Sequence, residues 1–148
     1  MGVKGLDDRS VLIAKVGTLM CAIPIAHVVE TMRPLPVEPL GRGAAYVRGV
    51  AIIRGTPTVV IDTANLLATT SAGTKRFVVV RTAERKAALM VDEVIDIRSL
   101  GELGRLPPLI ASASGETIAA IGSIDAGLIV VLEAARLLPP IDGEEALA

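Results

Sequence analysis

The sequence predicts an all-β protein, two small barrel subdomains packed on a shared apolar core, with short helices closing each unit. Three observations carry the prediction. The chain says nearly the same thing twice, its apolar runs have the length and β-branched content of strands, and glycine-bearing turns join those runs in pairs. The stretch VLIAKVGTLMCAIPIAHVVETMR (11–33) aligns without a gap on FVVVRTAERKAALMVDEVIDIRS (77–99), placing Val11 on Phe77, Gly17 on Ala83 and Glu30 on Asp96. At a slightly larger offset, IIRGTPTVVIDTANLL (52–67) aligns on SIDAGLIVVLEAARLL (123–138), with Arg54-Gly55-Thr56 on Asp125-Ala126-Gly127.

The elements follow in order. Residues 1–9 read as a flexible tail, 10–140 as one domain, and 141–148 as a second tail; within the domain, one subdomain spans about 10–67 and the other about 76–138. VLIAKV and FVVVR open the two units as strands that end in polar turns. The return runs, CAIPIAHVVETM and KAALMVDEVIDI, are longer than an ordinary strand. Pro24 cannot donate to an inner ladder, so a bend or bulge there lets one long run serve two sides of a barrel. IIRGTPTVVID and SIDAGLIVVLE are tight hairpins, TANLL and AARLL one-turn helices, and Pro139-Pro140 ends the second. ATTSAGTK (68–75) and PPLIASASGE (107–116) read as connectors.

Composition narrows the function. The chain has 148 residues, 51% of them hydrophobic, a one-domain length able to bury a sizeable core. With 15 basic against 16 acidic residues there is no cationic excess for phosphate binding, and Tyr46 and Phe77 are the only Phe, Tyr or Trp side chains, so nucleic acid is not an expected partner. The single cysteine, Cys21, sits in an apolar run and reads as a buried inert thiol. No secretory leader pattern and no run of about 18 apolar residues occur, which predicts a cytoplasmic protein without membrane insertion.

The chemical inventory argues against an enzyme. His27, between Ala26 and Val28, has no recognisable nucleophile motif to serve, and one His with one Cys cannot make a metal site. No glycine-rich phosphate cradle is present, so no catalytic, cofactor or metal residue is expected. Asp92 and Glu93 are adjacent, hence on opposite faces, and read as solvated strand charges. Asp62 and Glu133 stand at matching places before the short helices and read as N-caps. What remains is charge at turns. Arg54 occupies a hairpin tip where the other unit has Asp125, and the nearest partner by repeat logic is Glu30. An exposed pair of this kind adds little to stability. Its value lies in fixing a charge and a shape for docking.

These residues carry a family resemblance. AIPIAHVVETMRPLPVEPLG, YVRGVAIIRGTPTVVIDTANLL, AALMVDEVIDIRSL, LPPL and AAIGSIDAGLIVVLEAARLL, in that order, resemble the CheW-like family of chemotaxis adaptor domains over about residues 10–140. The resemblance implies two five-stranded SH3-like barrels around a shared core. It also implies a scaffold without an active site, bridging the cytoplasmic tip of a chemoreceptor (a methyl-accepting chemotaxis protein) to the regulatory domain of a CheA-like histidine kinase. Carried onto this sequence, the partner-binding residues are Val28, Glu30, Gly49, Arg54 and Gly55, and the family's glutamate–arginine pair falls on Glu30 and Arg54. Where the family reads Asn-Leu-Arg-Gly, this chain reads Ile52-Ile53-Arg54-Gly55, which removes an amide beside the docking face and points to a divergent motility or pilus system as the alternative. A sensory domain binding a small ligand between the barrels is the remaining alternative.

Overall fold

Ten strands and two short helical turns are described: β1 (Ser10–Val16), β2 (Leu19–Pro24), a 3-10 turn (Ile25–His27), β3 (Val28–Met32), β4 (Val47–Ile53), β5 (Thr56–Ile61), α1 (Thr63–Leu66), β6 (Arg76–Thr82), β7 (Arg85–Val91), β8 (Glu93–Ser99), β9 (Ile118–Ile124) and β10 (Gly127–Leu132). The structure, a computed structural model, describes residues 10–41, 45–82, 85–99, 118–124 and 127–132. The expected tails, the connector 107–116, LPPL, the Asp125-Ala126 turn, the Glu133 cap and the AARLL helix lie outside the described residues.

The strands form two five-stranded sheets, ordered β8-β1-β2-β10-β9 and β3-β6-β7-β5-β4. Neither sheet comes from one repeat. The first takes β1 and β2 from the first unit and three strands from the second; the other takes β6 and β7 from the second and three from the first. Strands from the two halves of the sequence are therefore interleaved through exchanged hairpins. The sequence feature responsible is the long return run. At Pro24 it leaves the first sheet, makes a 3-10 turn, and enters the second as β3. The matching run breaks at Asp92 and crosses the other way as β8. His27, expected on a strand, lies in that 3-10 turn.

The repeat holds residue by residue. Cys21 pairs with Val130 in the parallel ladder of the first sheet, and the residues aligned with them, Ala87 and Val59, pair in the second. Ile53 faces Thr56 across its hairpin as Ile124 faces Gly127. Even the bulges correspond. The β1–β8 register slips opposite Ile95, and the β6–β3 register slips opposite the aligned Val29. Each bulged residue is pushed outward, leaving Val29 41% and Ile95 43% exposed.

The core explains the interleaving. Leu12, Ala14, Val16, Cys21 and Ile23 of the first sheet pack on Val78, Val80, Ala87, Leu89 and Val91 of the second, a shared seam that hides the apolar faces of both leading hairpins. A second cluster, Ala51, Ile53, Val60, Phe77, Val79 and Ala88, belongs to the second sheet alone. Fully burying side chains of this kind is worth about 1.5–3 kcal/mol each for the larger ones. The expected closed barrels are not formed among the described residues, where β8 and β9 end one ladder and β3 and β4 the other. In the second sheet the reason is visible. The chain between β3 and β4 carries Pro34, Pro36 and Pro39, which cannot donate to a ladder. That arm meets β4 through one bridge, Glu38 with Val50, and covers the core with Leu35 and Val37.

Candidate functional site

The β4–β5 hairpin closes with two residues, Arg54 at φ 53° and Gly55 at φ 78°. Positive φ at both is what a mirror-image two-residue turn demands, and Asn-Gly or Asp-Gly is its usual choice. An arginine there is held in a conformation its Cβ disfavours. No atom lies within 4 Å of where a Cβ on Gly55 would stand, so that glycine is required by its backbone alone.

From this turn the guanidinium reaches back to β3. Nη2 donates to Glu30 Oε1 at 2.6 Å and Nε to Oε2 at 3.2 Å, a two-pronged pair. The Arg54 side chain is 74% exposed while Glu30 is mostly covered, so the cation is the outward member. The Arg54 hydrogen bond and charge, with the nearby charge of Lys86, hold the Glu30 carboxyl below its ordinary range against partial desolvation. Glu30 in turn raises Arg54 above its ordinary value. Thus the structure brings together Arg54, Gly55 and Glu30. Val28, on the same strand as Glu30, turns inward and packs against the seam. Gly49 is buried under the proline-rich arm, where a Cβ would strike the Glu38 carbonyl and lie 2.9 Å from Val37 Cγ1. Its local role is to let the arm approach β4. Two residues before Arg54, Ile52 stands 59% exposed.

Asp92 overturns its expected reading. It is no solvated strand charge but 6% exposed, at the crossing between the sheets. Its Oδ2 accepts from the backbone N–H of Gly17 and of Ala72, both at 2.9 Å, and its Oδ1 from the Ser71 hydroxyl at 2.6 Å. Its own N–H donates to the Lys15 carbonyl at 2.8 Å. Burial pushes this carboxyl up, yet the three donors and the charge of Lys15 outweigh it and leave it below the ordinary value. The connector 68–75 is therefore anchored at this carboxylate. Gly17 must stay glycine, since it sits at φ 61° and a Cβ would lie 2.7 Å from Thr69 Oγ1. Glu93 is exposed, as expected.

Two smaller expectations hold. Asp62 caps α1, accepting from the Asn65 N–H at 3.1 Å. Cys21 is buried, and desolvation with the nearby Asp92 charge pushes its thiol up to about 12, where it is inert. Among the described residues no three of His, Cys, Asp and Glu converge, and no helix is long and apolar enough to cross a membrane.

Interleaved sheets on one seam, with a paired charge at an exposed hairpin tip, define an all-β domain. The CheW-like domain profile matches residues 10–141, and the chain belongs to that family. Its fold is similar to the crystal structure of the scaffolding protein TtCheW from Thermoanaerobacter tengcongensis, with a TM-score of 0.73 at 17% identity over 86% of this chain and 90% of that one. No curated protein sequence matches the chain.

Proposed function

We propose that this protein is a non-catalytic chemotaxis adaptor, acting in the cytoplasm, that couples the cytoplasmic tip of a chemoreceptor to the regulatory domain of a CheA-like histidine kinase. One observation carries the reading: Arg54 sits in a backbone conformation unfavourable to it, on an exposed tip, with its guanidinium fixed by Glu30. Backbone strain retained at an exposed charge supports a role in contact, because folding alone is better served by asparagine or glycine there. Family membership and the likeness to a scaffolding protein support the same reading. The docking face consists of Arg54, Gly55 and Glu30, with Val28 and Gly49 setting the strands beneath it. The kinship of the two five-stranded sheets with SH3-like barrels is part of this proposal.

The test is Arg54→Glu, read by thermal melting and by binding to purified receptor tip and kinase regulatory domain. The melting temperature stays within about 2 °C while affinity for at least one partner falls tenfold or more. Unfolding of the variant, or unchanged binding to both, ends the proposal. The exposed Ile52 favours a divergent version, in which a partner of a motility or pilus system meets an apolar side chain in place of an amide. Ile52→Asn then weakens the native partner and does not strengthen it.

A further inference from the structure

The β6–β7 hairpin sets two like charges against each other. Arg81 and Lys86 are cross-strand partners, both exposed, and neither has a hydrogen bond or ion pair among the described residues. Directly opposed cations destabilise a sheet, so this pair opposes the fold that carries it. Side chains alternate along a strand, which puts Arg81 on the face of Phe77 and Val79, and Lys86 on the face of Ala88 and Met90. Glu30, opposite Val79, is on this same face, and Lys86 is near enough for its charge to act on Glu30. Arg54 arrives from the β4–β5 turn and occupies both oxygens of Glu30. Among the described residues, one end of the second sheet thus collects Arg54, Arg81 and Lys86 from two hairpins around Glu30, a carboxylate that is already engaged. On a chain whose net charge is −1, this is a local concentration of positive charge and not a general one.

We infer that this end of the sheet, bounded by Arg54, Arg81 and Lys86, is a docking surface for a carboxylate-rich segment of a partner protein. Charge complementarity names the chemistry: carboxylates approaching Arg81 and Lys86 relieve the repulsion between them and balance a field of which Glu30 neutralises one charge in three. The apolar residues at its margin favour a protein over a plain polyanion. Val29, the chain neighbour of Glu30, and Ile52, two residues before Arg54, are exposed, and a phosphate chain has no use for them. The inference rests on the adaptor reading and adds the partner's chemistry to it.

The experiment uses the full chain and the double variant Arg81→Thr/Lys86→Thr, since threonine suits an exposed strand. Both are titrated with the purified receptor tip, the kinase regulatory domain, inorganic polyphosphate and phosphatidylglycerol vesicles, each at low and moderate salt. The double variant melts no lower than wild type, binds one of the two protein partners at least tenfold more weakly, and shows a flatter salt dependence for that partner. Binding by wild type to neither protein partner removes the adaptor reading itself. Wild-type binding with unchanged affinity and salt dependence in the variant removes this inference and leaves that reading intact. Tighter binding to polyphosphate or to vesicles than to either protein, lost in the variant, assigns the surface to a polyanion and overturns the inference. Should the double variant misfold, Lys86→Gln and Arg81→Gln carry the same expectation singly, each at about threefold.

Discussion

Glu30 and Asp92 are two carboxylates held in opposite ways. Glu30 stands at an exposed end of the second sheet and receives a full countercharge, the guanidinium of Arg54. Asp92 lies at the crossing between the sheets and, among the described residues, is held by two backbone amides and a hydroxyl, with the charge of Lys15 nearby. The difference teaches where each device works. Among buried groups, neutral donors stabilise a carboxylate without a second ion to desolvate, and each donor pins the segment that bears it. Asp92 thereby ties the β1–β2 turn and the 68–75 connector to the start of β8, three pieces remote in sequence. At the surface a charge pair is screened and weak in stability, but it fixes where a cation stands when a partner arrives.

The sharpest way to break this contrast is to remove Asp92. Asp92→Ala leaves the Gly17 and Ala72 amides and the Ser71 hydroxyl without their acceptor and costs about 2–4 kcal/mol. Thermal melting falls by roughly 5–15 °C. A loss as small as that of an exposed substitution would show that water replaces the carboxylate and that the crossing is not held there. Acid sharpens the same point. The folded-state pKa of Asp92 lies below its ordinary 3.8, so its contribution is fully present above the unfolded carboxylate range and is lost as the pH falls through the folded value. The gap in urea midpoint between wild type and Asp92→Ala stays constant from about pH 5 to pH 8 and narrows below about pH 4. Added salt leaves that gap nearly unchanged, because the group is buried.

Gly55→Ala is smaller. With open space around the new Cβ, only the positive φ opposes it, at about 1 kcal/mol, or about 2–4 °C in melting. Gly55→Asn recovers most of that loss. Smallest in stability is Arg54→Gly. Relief of the unfavourable backbone offsets the lost ion pair, and the melting temperature moves by no more than about 2 °C, while partner affinity falls tenfold or more. A large drop in melting temperature for Arg54→Gly, measured by circular dichroism, would make the surface pair a folding device like Asp92 and dissolve the comparison.

Much of this was legible in the chain. The repeat, the strand-length runs, the Asp62 cap and the Arg54–Glu30 partnership all rest on local pattern or on the alignment of one unit with the other. What was not legible depended on which strand lies beside which. Asp92 looked solvated because alternation along its own strand reveals nothing of a turn and a connector arriving from elsewhere. Arg81 and Lys86 are opposed only in the hairpin register, and the burial of Gly49 depends on an arm that meets β4 only in the folded chain.

The sequence by itself determined an all-β, twice-repeated chain with one cysteine, one Tyr and one Phe, and a charged hairpin tip, since periodicity and turn chemistry act within a few residues. Only the tertiary structure decided that the halves exchange hairpins and that one carboxylate belongs to the surface and the other to the seam. Apolar faces are buried against whatever surface hides most of them, and here that surface belongs to the other repeat.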